Sequence, residues 1–207
     1  MNVAIFGATG TIGRHVVTQA LAAGHQVTVL VRDPAKLTVT HERLRAVTGD
    51  VLDPAAVERT VIGQDAVIVA LGAGRKGVVR AEGTRLIIEA MNRTGVKRLI
   101  CQSTLGVGDS RGNLNFVWKY VMFGMLLRPA FADHVRQEEY VLACDLDWTI
   151  VRPSAFTDGP ATGDYRQDFP GTETGLSLKI SRADVAGFLV EQLTDGTYVR
   201  RTPGISH

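Results

Sequence analysis

Apolar and polar positions along the chain follow two alternating periods. Short β-branched runs at residues 2–6, 26–31, 44–48, 65–71, 97–102 and 147–151 are closed by glycine, aspartate or proline. They read as buried parallel strands. Between them the spacing turns helical. Ile12, Val16, Val17, Ala20 and Leu21 share one face and Gly24 closes the segment. Asp53-Pro54 opens a second helix with a capping aspartate and a proline in its first turn. Residues 80–93 form an amphipathic helix ending at Gly95, and residues 133–143 another. Ser181 caps a helix running to Leu193, with Asp184 near its positive end. Residues 116–127 read as helical, residues 104–115 and 154–175 as loops, and a short final strand is expected around Tyr198.

Repeated strand–helix–strand order implies an α/β fold, a doubly wound parallel sheet in three α/β/α layers with right-handed crossovers. At 207 residues and 45% hydrophobic content, one domain covering residues 1–207 is expected. A net charge of +2 gives no case for nucleic acid. No apolar run suits a signal peptide or spans a bilayer, so a cytoplasmic protein without a membrane partner is expected. Cys101 and Cys144 stand apart without metal-ligand spacing and read as free thiols, and no metal is expected.

The chemistry concentrates after the strands, at the edge where such sheets bind ligands. Gly7-Ala8-Thr9-Gly10-Thr11-Ile12-Gly13 follows the first strand and opens a helix. Gly7 suits the tight turn, Gly10 the approach of a phosphate to backbone, and Gly13 close helix–strand packing. Unpaired N–H groups of the helix start then face the anion. The motif reads as a Rossmann-type pyrophosphate cradle formed by Gly7, Thr9, Gly10, Thr11, Ile12 and Gly13. Arg32 ends the second strand with Lys36 one turn on, which suits the 2′-phosphate of NADPH. Asp33 leaves two readings, a ribose ligand or a cap for the next turn. Asp50 and Val51 after the third strand suit the adenine, although Asp50 also suits a plain turn. Leu71 and Gly72 after the fourth lie where backbone meets the ribose, and Arg75 adds charge beside the phosphates. Pro153 after the sixth is expected to hold the nicotinamide carboxamide.

Ser103 ends the fifth strand, where short-chain reductases place a serine beside the substrate carbonyl. The Tyr-x-x-x-Lys pair that usually accompanies it is absent: Tyr120 is followed four on by Gly124, and Tyr140 by Cys144. His134 and Arg136 have two readings, projecting toward the site or standing as surface helix charges, and the second is preferred.

Taken together these residues resemble the atypical short-chain NAD(P)-binding proteins, and within them the NADPH-dependent flavin and biliverdin-IXβ reductases. The resemblance rests on Ile5 to Gly10, Val27 to Asp33, Gly49 to Leu52 and Gly63 to Val69. Later it rests on Asp133 to Arg136, Thr162 to Tyr165, Ile180-Ser181 and the terminal Ser206-His207. It implies hydride transfer from NADPH to a flat conjugated acceptor, free flavin or a linear tetrapyrrole, with flavin a substrate rather than a tightly held group. The resemblance to small members of the family also implies a monomer. It puts Ser103 at the family's serine and Ser154 where the family has a histidine, which makes both serines catalytic candidates. The segment 104–130 departs from the family and is placed near the pocket mouth; its aromatic residues Phe116, Trp118, Tyr120 and Phe123 either reshape substrate choice or form plain core, and core is the preferred reading. Two other readings stand: a redox-sensing regulator that holds NADP without turnover, as NmrA-like proteins do, and a reductase of a quinone or other carbonyl compound.

Overall fold

The computed structural model describes residues 1–72 and 78–207. Its strands are β1 Asn2–Phe6, β2 Gln26–Val31, β3 Leu44–Thr48, β4 Ala66–Val69, β5 Arg98–Gln102, β6 Asp147–Pro153, β7 Ala155–Thr157, β8 Arg166–Gln167, β9 Lys179–Ser181 and β10 Gly204–Ser206. Its α-helices are α1 Gly13–Ala22, α2 Pro54–Val61, α3 Val79–Thr94, α4 Arg128–Leu142 and α5 Arg182–Glu191. The main sheet runs β3-β2-β1-β4-β5-β6-β10-β8, parallel except where β8 meets β10, and β7 and β9 form a separate parallel pair. The order reverses between β1 and β4, which makes their carboxyl ends the switch point.

Strand pleat divides the core into two layers. Val3 and Ile5 of β1 face α1 and α5 through Val16, Val17, Val185 and Phe188. Ala4 and Phe6 face α2, α3 and α4 through Val57, Ile87, Met91 and Val141. The three-layer Rossmann-like fold is as expected.

Four local expectations are corrected. The helix expected from residue 133 begins at Arg128, because Pro129 is accommodated in a first turn. Residues 116–127 form a π-helix, Val117–Leu126, and the N–H of Leu127 donates to the carbonyl of Met122, five residues back. The last strand is β10 and not the Tyr198 segment, whose ring packs on Phe188 at 5.7 Å. The long segment 154–175 contributes β7 and β8. No helix among the described residues is long and apolar enough to cross a membrane.

Candidate functional site

The turn after β1 is built on contacts that only glycine permits. Gly7 adopts φ +92°, and a Cβ there would lie 2.3 Å from the carbonyl oxygen of Ala70. A Cβ on Gly13 would lie 2.0 Å from the Gly7 oxygen, and one on Gly10 3.1 Å from it. The missing side chains bring β1, α1 and the end of β4 together. Ile12, at the cap position of α1, gives no side-chain cap, and the first turn carries no acid. The helix start is therefore open to an anion, as an NAD(P) pyrophosphate requires.

A cleft of about 430 Å³ extends from this turn, lined by Gly7, Thr9, Gly10, Arg32, Asp50, Val51, Leu71 and Gly72 among others. Ala8 and Ile12 are buried in the core behind it, while Thr9 and Thr11 are exposed. Arg32 and Lys36 are both exposed. Asp33 turns away, its carboxylate accepting the N–H of Ala35 at 3.0 Å as cap of the turn Pro34–Lys36. Asp50 likewise accepts the N–H of Leu52 at 2.9 Å while lining the cleft. Gly83 of α3 lets Leu71 and Val51 close over the helix, since a Cβ there would lie 2.9 Å from Leu71 Cδ1. Arg75 lies outside the described residues.

A second cavity of about 340 Å³ opens beyond β5 and β6. Val79 lines the first and the next residue, Arg80, lines the second, so the start of α3 contributes wall to both. Its walls are apolar: Leu105, Leu114, Trp118, Phe123, Phe131 and Phe156 contribute. Phe123 and Phe131 stack with centroids 4.5 Å apart. Pro153 and Ser154 line it where β6 ends. Phe116 and Tyr120 are exposed, contrary to the core reading, while Trp118 and Phe123 are half-buried, packing on the small cluster of Leu105, Leu114 and Leu178 as they line the cavity.

Four buried polar atoms of its lining residues have no hydrogen-bond partner, Oγ of Ser154, Nδ1 of His134 and Nε of Arg80 and of Arg182. His134 was expected on the surface and is instead buried on α4. Burial and then the charge of Arg80 hold its pKa down to about 3, so it is neutral at physiological pH. Asp133 beside it caps α3, accepting the N–H groups of Arg80 at 3.2 Å and Ala81 at 3.1 Å.

Ser103 is placed differently. It is buried, is absent from the wall of the second cavity, and its hydroxyl donates to Glu138 at 2.5 Å. Glu138 in turn accepts from Nε and Nη2 of Arg152, at 3.0 and 2.7 Å. Behind the cavity, Asp184 gathers three segments. It accepts the N–H groups of Thr162 at 2.7 Å and Gly163 at 2.9 Å and the hydroxyl of Ser181 at 2.7 Å, and it lies 3.6 Å from His207. The late sequence blocks at 162–165, 180–181 and 206–207 are thus one cluster.

The family model described as NAD(P)H-binding matches residues 7–196. An uncharacterised chloroplastic protein of Arabidopsis thaliana is 30% identical over 206 residues, 93% of this chain and 71% of that protein. The 3-diazoavenalumate denitrifying reductase of a Streptomyces species is 31% identical over 196 residues, 81% of this chain and 60% of that protein. Two solved structures share the fold across 100% of this chain. ChuY, an anaerobilin reductase of Escherichia coli O157:H7, superposes with TM-score 0.82 at 24% identity over 97% of its chain. A short-chain dehydrogenase/reductase of Veillonella parvula in complex with NADP superposes with TM-score 0.81 at 20% identity over 94% of its chain.

Proposed function

Starting from the NAD(P)H-binding family, to which the chain belongs, we propose that it is an NADPH-dependent reductase passing hydride to a flat conjugated acceptor, a free flavin or a biliverdin-type linear tetrapyrrole. The observation that carries this reading is a pair of cavities that both take wall from the start of α3. One holds a glycine cradle for a dinucleotide, and the other is an aromatic-walled chamber in which Ser154 Oγ and His134 Nδ1 are unpartnered. Each dry polar group costs about 1–3 kcal/mol. Such a cost is retained where a ligand supplies the partners.

The preference for NADPH rests on Arg32 and Lys36, exposed beside the cleft while Asp33 is engaged elsewhere. The reductase named among the relatives and the bilin reductase among the structures support the reaction class. When bound, NADPH supplies a hydride at the nicotinamide, and the acceptor gains that hydride together with one proton. Stacking between Trp118, Phe123 and Phe131 would hold a planar acceptor and exclude water. The Ser154 hydroxyl would donate a hydrogen bond to charge developing on the acceptor. Neutral His134 offers one N–H and one lone pair and carries no spare proton at pH 7, so it orients rather than protonates. The proton then comes from water.

The test offers FMN, FAD, riboflavin, biliverdin isomers and a quinone in turn and follows NADPH oxidation by absorbance. Turnover with a flavin or bilin supports the reading. Turnover with the quinone alone moves the acceptor class, and tight NADPH binding without turnover on any of them favours a cofactor-sensing role.

A further inference from the structure

The π-helix Val117–Leu126 has two apolar faces. Because its bonds span five residues, each face recurs about every four to five positions. Trp118, Phe123 and Leu127 point into the acceptor cavity. On the other side Phe116, Val117, Tyr120, Val121, Met125 and Leu126 are exposed, Phe116 by 70% and Met125 by 74%. Phe116 and Tyr120 pack on each other out there, their rings 4.8 Å apart. A patch of this kind marks an interaction surface.

Charge identifies the partner. A cavity of about 420 Å³ beside the patch is lined by Arg111, Lys119, Arg128 and Arg136, against one acid, Glu139. Among the described residues none of these four cations is ion-paired. An apolar helix face carrying aromatic residues and rimmed by free cations is what an anionic lipid surface binds. A second copy fits poorly, because a twofold contact over this patch would set the two cationic rims near each other.

We propose that this face docks on an anionic bilayer, with the apolar side chains entering the interface and the four cations meeting lipid phosphates. The sequence led to no membrane partner because no segment spans a bilayer; surface docking needs none. The helix would then stand between lipid and the cavity lined by Trp118 and Phe123. The docking claim holds whether or not the reductase reading does.

The test is co-sedimentation of the full chain with vesicles of phosphatidylcholine alone and of phosphatidylcholine mixed with phosphatidylglycerol. At least tenfold greater partition onto the anionic vesicles, weakened by salt, is expected. Met125→Glu should abolish it at unchanged thermal stability. Arg128→Glu should weaken it severalfold and serves if Met125→Glu fails to fold, since an acid in the first turn of α4 suits that helix. Equal partition onto both vesicles, or onto neither, overturns the proposal. So does a solution dimer that Met125→Glu dissociates, which would assign the face to a second copy.

Discussion

Ser103 at the end of β5 donates its hydroxyl to the buried carboxylate of Glu138 on α4, 2.5 Å away. Glu138 is held from the other side by Arg152 of β6, which also reaches Asp109 in the segment after β5. These four side chains tie two strand ends, one helix and one loop into a block. Buried ions are tolerated here because nearly every donor and acceptor is matched. Ser103→Ala should cost about 1–3 kcal/mol of stability, and Arg152→Ala about 3–5 kcal/mol by leaving Glu138 charged and unpaired. Urea unfolding measures both. Turnover of Ser103→Ala should fall less than that of Ser154→Ala; the reverse order at equal stability would put Ser103 at the reacting atoms.

Arg32 gives the clearest cofactor prediction. A guanidinium on a phosphate is a charge-assisted contact, worth about 1.5–3 kcal/mol. Arg32→Ala should therefore weaken NADPH binding by roughly tenfold or more and leave NADH nearly unchanged. Titration of each cofactor by fluorescence checks this, and equal losses for both would remove Arg32 from the 2′-phosphate.

His134 makes stability depend on pH. Its folded pKa, about 3, lies below the ordinary 6.5. Between those values the unfolded chain binds a proton that the folded chain does not, so stability falls as pH drops through that window. Carboxylates such as Asp109, held low first by the hydrogen bond from Arg152, act mainly below about pH 5, so the upper part of the window belongs to the histidine. From pH 7 to 5.5 this histidine should cost about 1 kcal/mol. His134→Gln should shrink the loss by that amount in denaturant midpoints; an unchanged loss would mean that His134 is protonated in the fold.

Asp184 should be a structural hub. Burial raises its carboxyl pKa, but the bonds from Gly163, Ser181 and Thr162 more than offset this and hold it below the usual value. Asp184→Ala removes acceptors from three segments and should lower stability by more than about 2 kcal/mol. Hydrogen exchange should quicken at Thr162, Gly163 and the C-terminus together. Exchange confined to α5 would contradict the hub.

The cradle and the strand order are legible in sequence because they depend on local constraints. The spacing of Gly7, Gly10 and Gly13 reflects backbone contacts within one turn, and the β-branched runs of the central strands report burial on both faces, whereas the edge strand β3 buries Val47 alone. The wall of the second cavity is not legible in the same way. α4 reads as a polar surface helix because Asp133, Arg136, Glu138 and Glu139 crowd it. Yet Asp133 and Glu138 are buried against Arg80 and Arg152, which come from distant elements. One signal was present: His134, Gln137, Glu138 and Val141 fall at helical spacing, and all four are buried. The exposed face of the π-helix was hidden for a different reason. Its repeat of four to five residues matches neither the strand nor the α-helix period, so apolar residues were assigned to core.

The central claim is hydride transfer from NADPH to an acceptor in the aromatic cavity. It is tested most directly by supplying NADPH deuterated in turn on each face of nicotinamide C4, with a flavin or bilin as acceptor, and reading by mass whether the label is kept or lost in the NADP+ formed. The account predicts that label leaves one face only, at the rate of NADPH oxidation, and that Ser154→Ala slows its transfer without weakening NADPH binding. NADPH held tightly with no label leaving it in the presence of any acceptor would contradict the account and leave a binding protein.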